Sequence, residues 1–364
     1  MHLIMLLLPL GVIAGSVFAV LLFGLLVALV VFIFLKRPHI IRWDEHYFCY
    51  VLFIFRAISA AVFPDHFHQL CLDDNRGFSE EYEGLAPVGT EQTRKTALLP
   101  ENKAKNRFTN VLPYDWCRVK LTTLDPNGTS DYINANYMPG YNSNREYIAT
   151  QGPLPSTVND FWRMIWEQRV KRIVMVTNCT EGGRTKCEQY WPADRNPCPY
   201  KELQVTIRSE QHEPNWTLRE FKERTVKHFH FTAWPDHGVP QGTEVLIQFR
   251  GLVRQHIERE GGNAPTVVHC SAGVGRTGTI IALDVLLQQL EREHAVGINA
   301  FVHKMRLNRP YMVQTESQYF FLHQCIMDSL QPKEMNEENV YENADMIYVN
   351  ATALQELRRQ NANA

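Results

Sequence analysis

Cys270 and Arg276 stand at the two ends of a small-residue, Gly-rich run in Val267-Val268-His269-Cys270-Ser271-Ala272-Gly273-Val274-Gly275-Arg276-Thr277-Gly278-Thr279. The apolar lead-in, Thr266 to Val268, reads as a short buried strand. Thr279 to Leu287 has the length and apolar periodicity of a helix. The cysteine therefore sits on a tight strand-to-helix turn. Free N–H groups at a helix N-terminus attract an anion, and successive amides in such a turn form a nest for negative charge. Ser271, Ala272, Gly273, Val274 and Gly275 would supply those amides. The same field favours a thiolate on Cys270. Arg276 can fold back over the turn, where its planar fork suits two oxygens of a phosphate. A thiolate beneath a bound dianion points to phosphoryl transfer onto sulfur. The plainer alternative is a buried structural cysteine beside a nucleotide-binding loop. The turn has neither the Lys of a Walker loop nor the G-x-G-x-x-G spacing, so that alternative is set aside.

Other elements must hold this turn in place. Val158 to Gln168 has a helical pattern, and Arg172 to Thr177 is a continuous apolar strand. Gly182-Gly183 marks a turn into Thr185 to Trp191. Leu203 to Arg208 and Leu218 to Phe231 read as strands, Thr243 to Glu260 and Thr279 to His294 as helices. Helices mixed with strands around a buried strand predict an α/β domain with helices on both faces.

The chain has 364 residues, 45% of them hydrophobic and 21% charged, with a net charge of -2. That balance gives no reason to expect nucleic acid. Leu3 to Leu35 contains no Asp, Glu, Lys or Arg. This exceeds the roughly 20 residues that a transmembrane helix needs. It lacks the basic start of a signal peptide. Residues 1–35 are therefore expected to form one transmembrane segment. Lys36, Arg37 and Arg42 place residues 36–364 in the cytosol, in a single-pass protein of the plasma membrane. Residues 36–77 are expected to be juxtamembrane; Tyr47 to Phe55 within them is apolar but too short to span. Residues 78–330 have globular composition, and 331–364 form a polar, flexible tail. The eight cysteines make no C-x-x-C pair and no metal spacing, so they are expected to stay reduced and metal-free.

The string His269 to Gly278 resembles the signature of the cysteine-dependent protein tyrosine phosphatases. Further strings are similar to that family: Asn106-Arg107-Phe108-Thr109-Asn110-Val111-Leu112-Pro113-Tyr114-Asp115, Asp131 to Tyr137, Gln151-Gly152-Pro153, and Lys186 to Pro192. So are Thr232-Ala233-Trp234-Pro235-Asp236-His237-Gly238-Val239-Pro240 and Val313 to Tyr319. The resemblance runs from about Phe78 to about Leu330 and points to the receptor type with a single catalytic domain. It implies a central mixed, highly twisted sheet flanked by helices, preceded here by one transmembrane helix. It also implies a phosphocysteine mechanism with neither metal nor organic cofactor.

Each string then has an expected role. Phe108 would stack on the phosphotyrosine ring. The family usually has Tyr there, and many members carry Asp where this chain has Asn110, so a hydroxyl and a charge are missing. Asp236 would protonate the leaving tyrosyl oxygen and later deprotonate the attacking water. Gln314 and Gln318 would orient that water, and Thr277 would hydrogen-bond the departing sulfur. The resemblance assigns His269 to tuning the nucleophile, Glu181 to bracing the arginine and Lys186 to meeting the acid loop.

The expected function is hydrolysis of phosphotyrosine in proteins; the alternative is a catalytically weak phosphotyrosine-binding scaffold. In the tail, Tyr341 and Tyr348 each begin a Tyr-x-Asn triplet. A phosphorylated tyrosine there would be recognised by the arginine of an SH2-domain adaptor or a Src-type kinase.

Overall fold

The computed structural model describes residues 57–122, 130–201, 203–222 and 225–331. The expected membrane span, the apolar 47–55 stretch and the tail with Tyr341 and Tyr348 lie outside these residues. Among the described residues no helix is long and apolar enough to cross a membrane.

Eight strands form one mixed sheet, in the order Ile207–His212, Trp216–Phe221, Val226–Phe231, Arg172–Met175, Thr266–His269, Tyr147–Thr150, Tyr132–Met138 and Arg118–Lys120. The four central strands run parallel, and the outer ones are antiparallel. Alternation along each strand splits the core in two. Ala149, Val174, Phe229 and Val268 point to one side. There they meet the helices Glu244–Glu260, Gly275–Glu293, Ile298–Asn308 and Glu316–Leu330. Ile148, Ile173, Met175 and Val267 point to the other, against Phe161, Trp162 and Ile165 of helix Val158–Glu167. Burial on both faces explains the unbroken apolar runs at Arg172–Met175 and Thr266–His269. It also places the C-terminal end of the central strand, where Cys270 follows, inside the layers.

Three expectations change in detail. Leu218 to Phe231 is not one strand but two, Trp216–Phe221 paired antiparallel with Val226–Phe231. Leu203 to Arg208 likewise divides, with Leu203–Val205 pairing with Cys198–Tyr200 and Ile207–His212 joining the large sheet. The long helix starts at Gly275 rather than Thr279, so Arg276 and Thr277 belong to its first turn.

Part of the expected juxtamembrane segment is built into the domain. Ile58–Ser59 pairs antiparallel with Ala295–Val296. Phe63–Leu70 is a helix, and so is Leu72–Gly84 apart from a kink of left-handed backbone at Asp73, Asp74 and Asn75; Phe63, Leu70 and Phe78 lie in the core. The physical reason is the spacing of Phe63, Phe67 and Leu70, which puts three apolar groups on one helical face. The onset at Phe78 read from composition is therefore too late, because residues 57–77 share the same core.

Candidate active site

The signature turn is shaped by what its carbonyls bind. Ser271 O accepts from the Gly152 N–H at 2.9 Å, and Val274 O accepts from Gly278 and Val313 at 3.0 and 3.1 Å. Ala272 O and Gly273 O accept from the Arg309 guanidinium at 3.1 and 2.8 Å. With four successive carbonyls bonded away from the cysteine, the trans peptides turn their N–H groups to the opposite side. The Gly273 N–H lies 3.3 Å from Cys270 Sγ. Gly273 has φ +72, and a Cβ there would fall 2.1 Å from Thr150 O, so only glycine fits. Cys270 is 5% exposed.

Two supports were not assigned from sequence. Arg309 is fully buried; besides the turn it donates to Asn136 Oδ1 and Asn134 Oδ1 at 3.0 and 2.8 Å. Burial lowers its pKa to about 10. The second is Tyr190, whose hydroxyl lies 2.7 Å from both His269 Nε2 and His228 Nε2. His269 Nδ1 lies 3.3 Å from Cys270 O, so this chain of rings reaches the nucleophile's backbone. Burial pulls His269 down to about 3, which keeps it neutral and suits tuning by hydrogen bond rather than by charge. Tyr190 lay in a recognised string; what sequence lacked was the fold that brings it to His269.

Arg276 meets Glu181 with both terminal nitrogens, Nη1 to Oε1 at 2.7 Å and Nη2 to Oε2 at 2.9 Å. Glu181 is held in turn by the Thr177 hydroxyl and the Asn178 N–H at 3.1 and 2.9 Å. Arg276 Nη2 also donates to Pro235 O and Asp236 O at 2.9 and 3.2 Å, tying the acid loop to the signature turn. Asp236 Oδ1 accepts from Lys186 Nζ at 2.8 Å. That hydrogen bond holds the Asp236 carboxyl below its ordinary range. Gly182 and Gly183, at φ +53 and +72, turn the hairpin that carries Glu181 and Lys186. A Cβ on Gly182 would lie 2.4 Å from Asp236 Oδ2, so this glycine also makes room for the acid.

These groups line one cleft of about 440 Å³ together with Phe108, Asn110, Ser271, Ala272, Gly275, Gln314 and Gln318. Phe108 is exposed at its mouth. Gln318 Oε1 accepts from the Gln314 N–H at 2.9 Å, and a Cβ on Gly275 would meet the Gln318 amide at 3.0 Å. His269, Gly273, Val274 and Thr277 stand behind the lining and shape it from beneath. The Thr277 hydroxyl is fully buried, with no hydrogen-bond partner among the described residues. No group of His, Cys, Asp or Glu among the described residues could hold a metal ion. A cleft with a cysteine at its floor, an anion nest, an arginine and a carboxylic acid can transfer a phosphoryl group to sulfur and on to water.

Residues 102–328 match the family description Protein-tyrosine phosphatase. Human receptor-type tyrosine-protein phosphatase H is 48% identical over 357 residues, which is 95% of this chain and 32% of that protein. Human receptor-type tyrosine-protein phosphatase eta is 48% identical over 307 residues, 82% of this chain and 22% of that protein. The human phosphatidylinositol phosphatase PTPRQ is 45% identical over 309 residues, 83% of this chain and 13% of that protein. The chain thus spans about a third or less of the length of these relatives. By the match across residues 102–328, the chain belongs to the protein-tyrosine phosphatase family, and the relatives it resembles include members named as receptor-type.

Proposed function

We propose that this chain hydrolyses phosphotyrosine in proteins through a phosphocysteine on Cys270. The observation that carries the reading is the placement of Cys270 and Asp236 in one cleft, with Arg276 bonded to the acid loop between them. The phosphoryl dianion sits on the N–H groups of the signature turn and on Arg276. The Cys270 thiolate attacks phosphorus, the bond to the tyrosyl oxygen breaks, and Asp236 protonates that oxygen as it leaves. In the second step water attacks phosphorus, the sulfur departs with the electron pair, and Asp236 takes the water's proton.

Asp236 begins on the wrong side of this scheme, since Lys186 favours its carboxylate. Substrate corrects that. Two negative charges entering the cleft repel the carboxylate and compete for its cationic partners, and both effects restore the protonated form. The scaffold reading is weaker, because a binder has no use for a carboxyl poised beside the leaving group.

The name of one relative favours a second substrate class, a phosphoinositide. Turnover of phosphotyrosyl peptides, phosphoseryl peptides and soluble phosphoinositides decides among these. Preference for phosphotyrosine supports the proposal, and preference for the lipid replaces it. The proposal extends to a membrane anchor in residues 1–35, a cytosolic domain, and a tail whose Tyr341 and Tyr348 dock SH2-domain adaptors or Src-type kinases when phosphorylated. Binding of a doubly phosphorylated 335–355 peptide to such an SH2 domain, and its loss with Asn343→Ala and Asn350→Ala, tests the tail. Its failure leaves the catalytic reading intact.

A further inference from the structure

Val313 holds a backbone that β-branched residues avoid, with φ +57, and its side chain is wholly buried. Strain of this kind persists only where the surroundings over-determine it. Here they do. The Val313 N–H donates to Val274 O of the signature turn at 3.1 Å. Its carbonyl accepts from Arg306 Nη2 at 2.9 Å and from the Tyr82 hydroxyl at 3.3 Å. Arg306 also donates to Met312 O at 3.0 Å and lies 5.0 Å from the Tyr82 ring centre. On the other side Gly278 leaves space, since a Cβ there would fall 2.4 Å from Val313 N.

What the strained residue presents is Gln314, whose Cβ would lie 3.3 Å from a Cβ on Gly275. The direction of the Val313 backbone therefore sets where Gln314 emerges over the turn. Tyr82 belongs to helix Leu72–Gly84, ahead of the matched residues 102–328. The same helix grips the start of helix Glu316–Leu330. Ser79 Oγ donates to Glu316 Oε1 at 2.8 Å, and Tyr319 donates to Glu81 Oε2 at 2.5 Å.

We propose that Tyr82, acting through the strained Val313, is a positioning residue for Gln314 in hydrolysis of the phosphocysteine. The inference rests on the phosphatase reading. In that step the water oxygen attacks phosphorus and the P–S bond breaks. The electron pair stays on Cys270 sulfur, and the water's proton passes to the Asp236 carboxylate. Gln314 meets the water; Val313 and Tyr82 act only through Gln314.

Stopped-flow turnover of p-nitrophenyl phosphate by the full chain tests this with Tyr82→Phe, Val313→Gly and the double variant. Tyr82→Phe should lower kcat about threefold to tenfold, the worth of one ordinary hydrogen bond. It should leave kcat/KM, which reports the first phosphoryl transfer, within about twofold and enlarge the burst of p-nitrophenol. Glycine adopts φ +57 without strain, so the clamp then has less to hold. In the Val313→Gly background Tyr82→Phe should therefore cost less than about twofold. Parallel loss of kcat and kcat/KM with no larger burst overturns the proposal, as does an equal cost of Tyr82→Phe in both backgrounds. If Val313→Gly does not fold, the burst and the split between kcat and kcat/KM for Tyr82→Phe decide alone. A wild-type chain that releases no p-nitrophenol overturns the phosphatase reading, and this inference with it.

Discussion

Gly273 and Gly238 both hold left-handed backbone, φ +72 and +79, in two loops that line one cleft. Their surroundings are opposite. A Cβ on Gly273 would strike Thr150 O, a backbone atom of the central sheet, whereas one on Gly238 would meet nothing within 4 Å. The signature turn is fixed by backbone hydrogen bonds and by the buried Arg309. The acid loop is anchored at its start by Trp234 in the core, but its acid is held by Lys186 and by two bonds from Arg276 to the loop, and the Asp236 side chain is 27% exposed. One loop is preorganised for charge before substrate arrives. The other depends on a few contacts that substrate itself can replace, which suits a loop that closes and opens.

The comparison can be broken most severely at the nucleophile. Cys270→Ser should abolish turnover of an aryl phosphate while phosphotyrosyl peptide still binds, because the nest and Arg276 remain. Calorimetric titration beside an activity assay checks both halves. Asp236→Ala should lower kcat by about two to four orders of magnitude and leave ground-state binding in place. A series of aryl phosphates with increasingly acidic leaving groups should show the loss shrinking; a constant loss contradicts the acid role.

Substituting the two glycines sharpens the contrast. Gly273→Ala must push the turn off Thr150 O, and a shift of an ångström at reacting groups costs about a hundredfold in rate. Gly238→Ala carries only the strain of its φ, on the order of 1–3 kcal/mol at most, part of which an open loop can relax. Activity and thermal midpoints of both variants, measured together, should separate by that margin.

Lys186→Met should act on pH rather than on rate alone. The Lys186 hydrogen bond is the largest cause of the lowered Asp236 pKa. Without it the carboxyl stays protonated to higher pH, so the alkaline limb of kcat/KM should move up. An unmoved limb would show that another group titrates there. The buried rings act on stability rather than on rate. Burial keeps His228, His230 and His269 neutral in the folded chain, while an unfolded chain protonates them near 6.5. Below that pH the unfolded state binds more protons, so stability present above about 6.5 should be lost progressively toward pH 3. Thermal midpoints across that range check the sign.

The difference between the loops also explains how much could be read from sequence. The signature turn and the acid loop are each contiguous strings, so their chemistry was legible residue by residue. Arg309, Tyr190 and Tyr82 act from 39, 80 and 188 positions away from Cys270. Each looks like an ordinary polar or aromatic residue until the fold brings it to the site. The helices Phe63–Leu70 and Leu72–Gly84 were missed for a similar reason. Phe63-Pro64-Asp65-His66-Phe67-His68-Gln69-Leu70 carries a helical apolar face, but the strongly apolar stretches before it dominate the composition of that region. The split of Leu218 to Phe231 falls at the polar run Lys222-Glu223-Arg224-Thr225, which β-rich flanks concealed in the sequence.

The central claim is that phosphate passes through Cys270. Wild-type chain should be mixed with excess p-nitrophenyl phosphate, quenched in acid within the first turnover, digested and read by mass spectrometry. The peptide containing Cys270 should carry a phosphoryl adduct that disappears as substrate is exhausted. Full p-nitrophenol release with no adduct on that peptide, or with the adduct on another residue, would contradict the account.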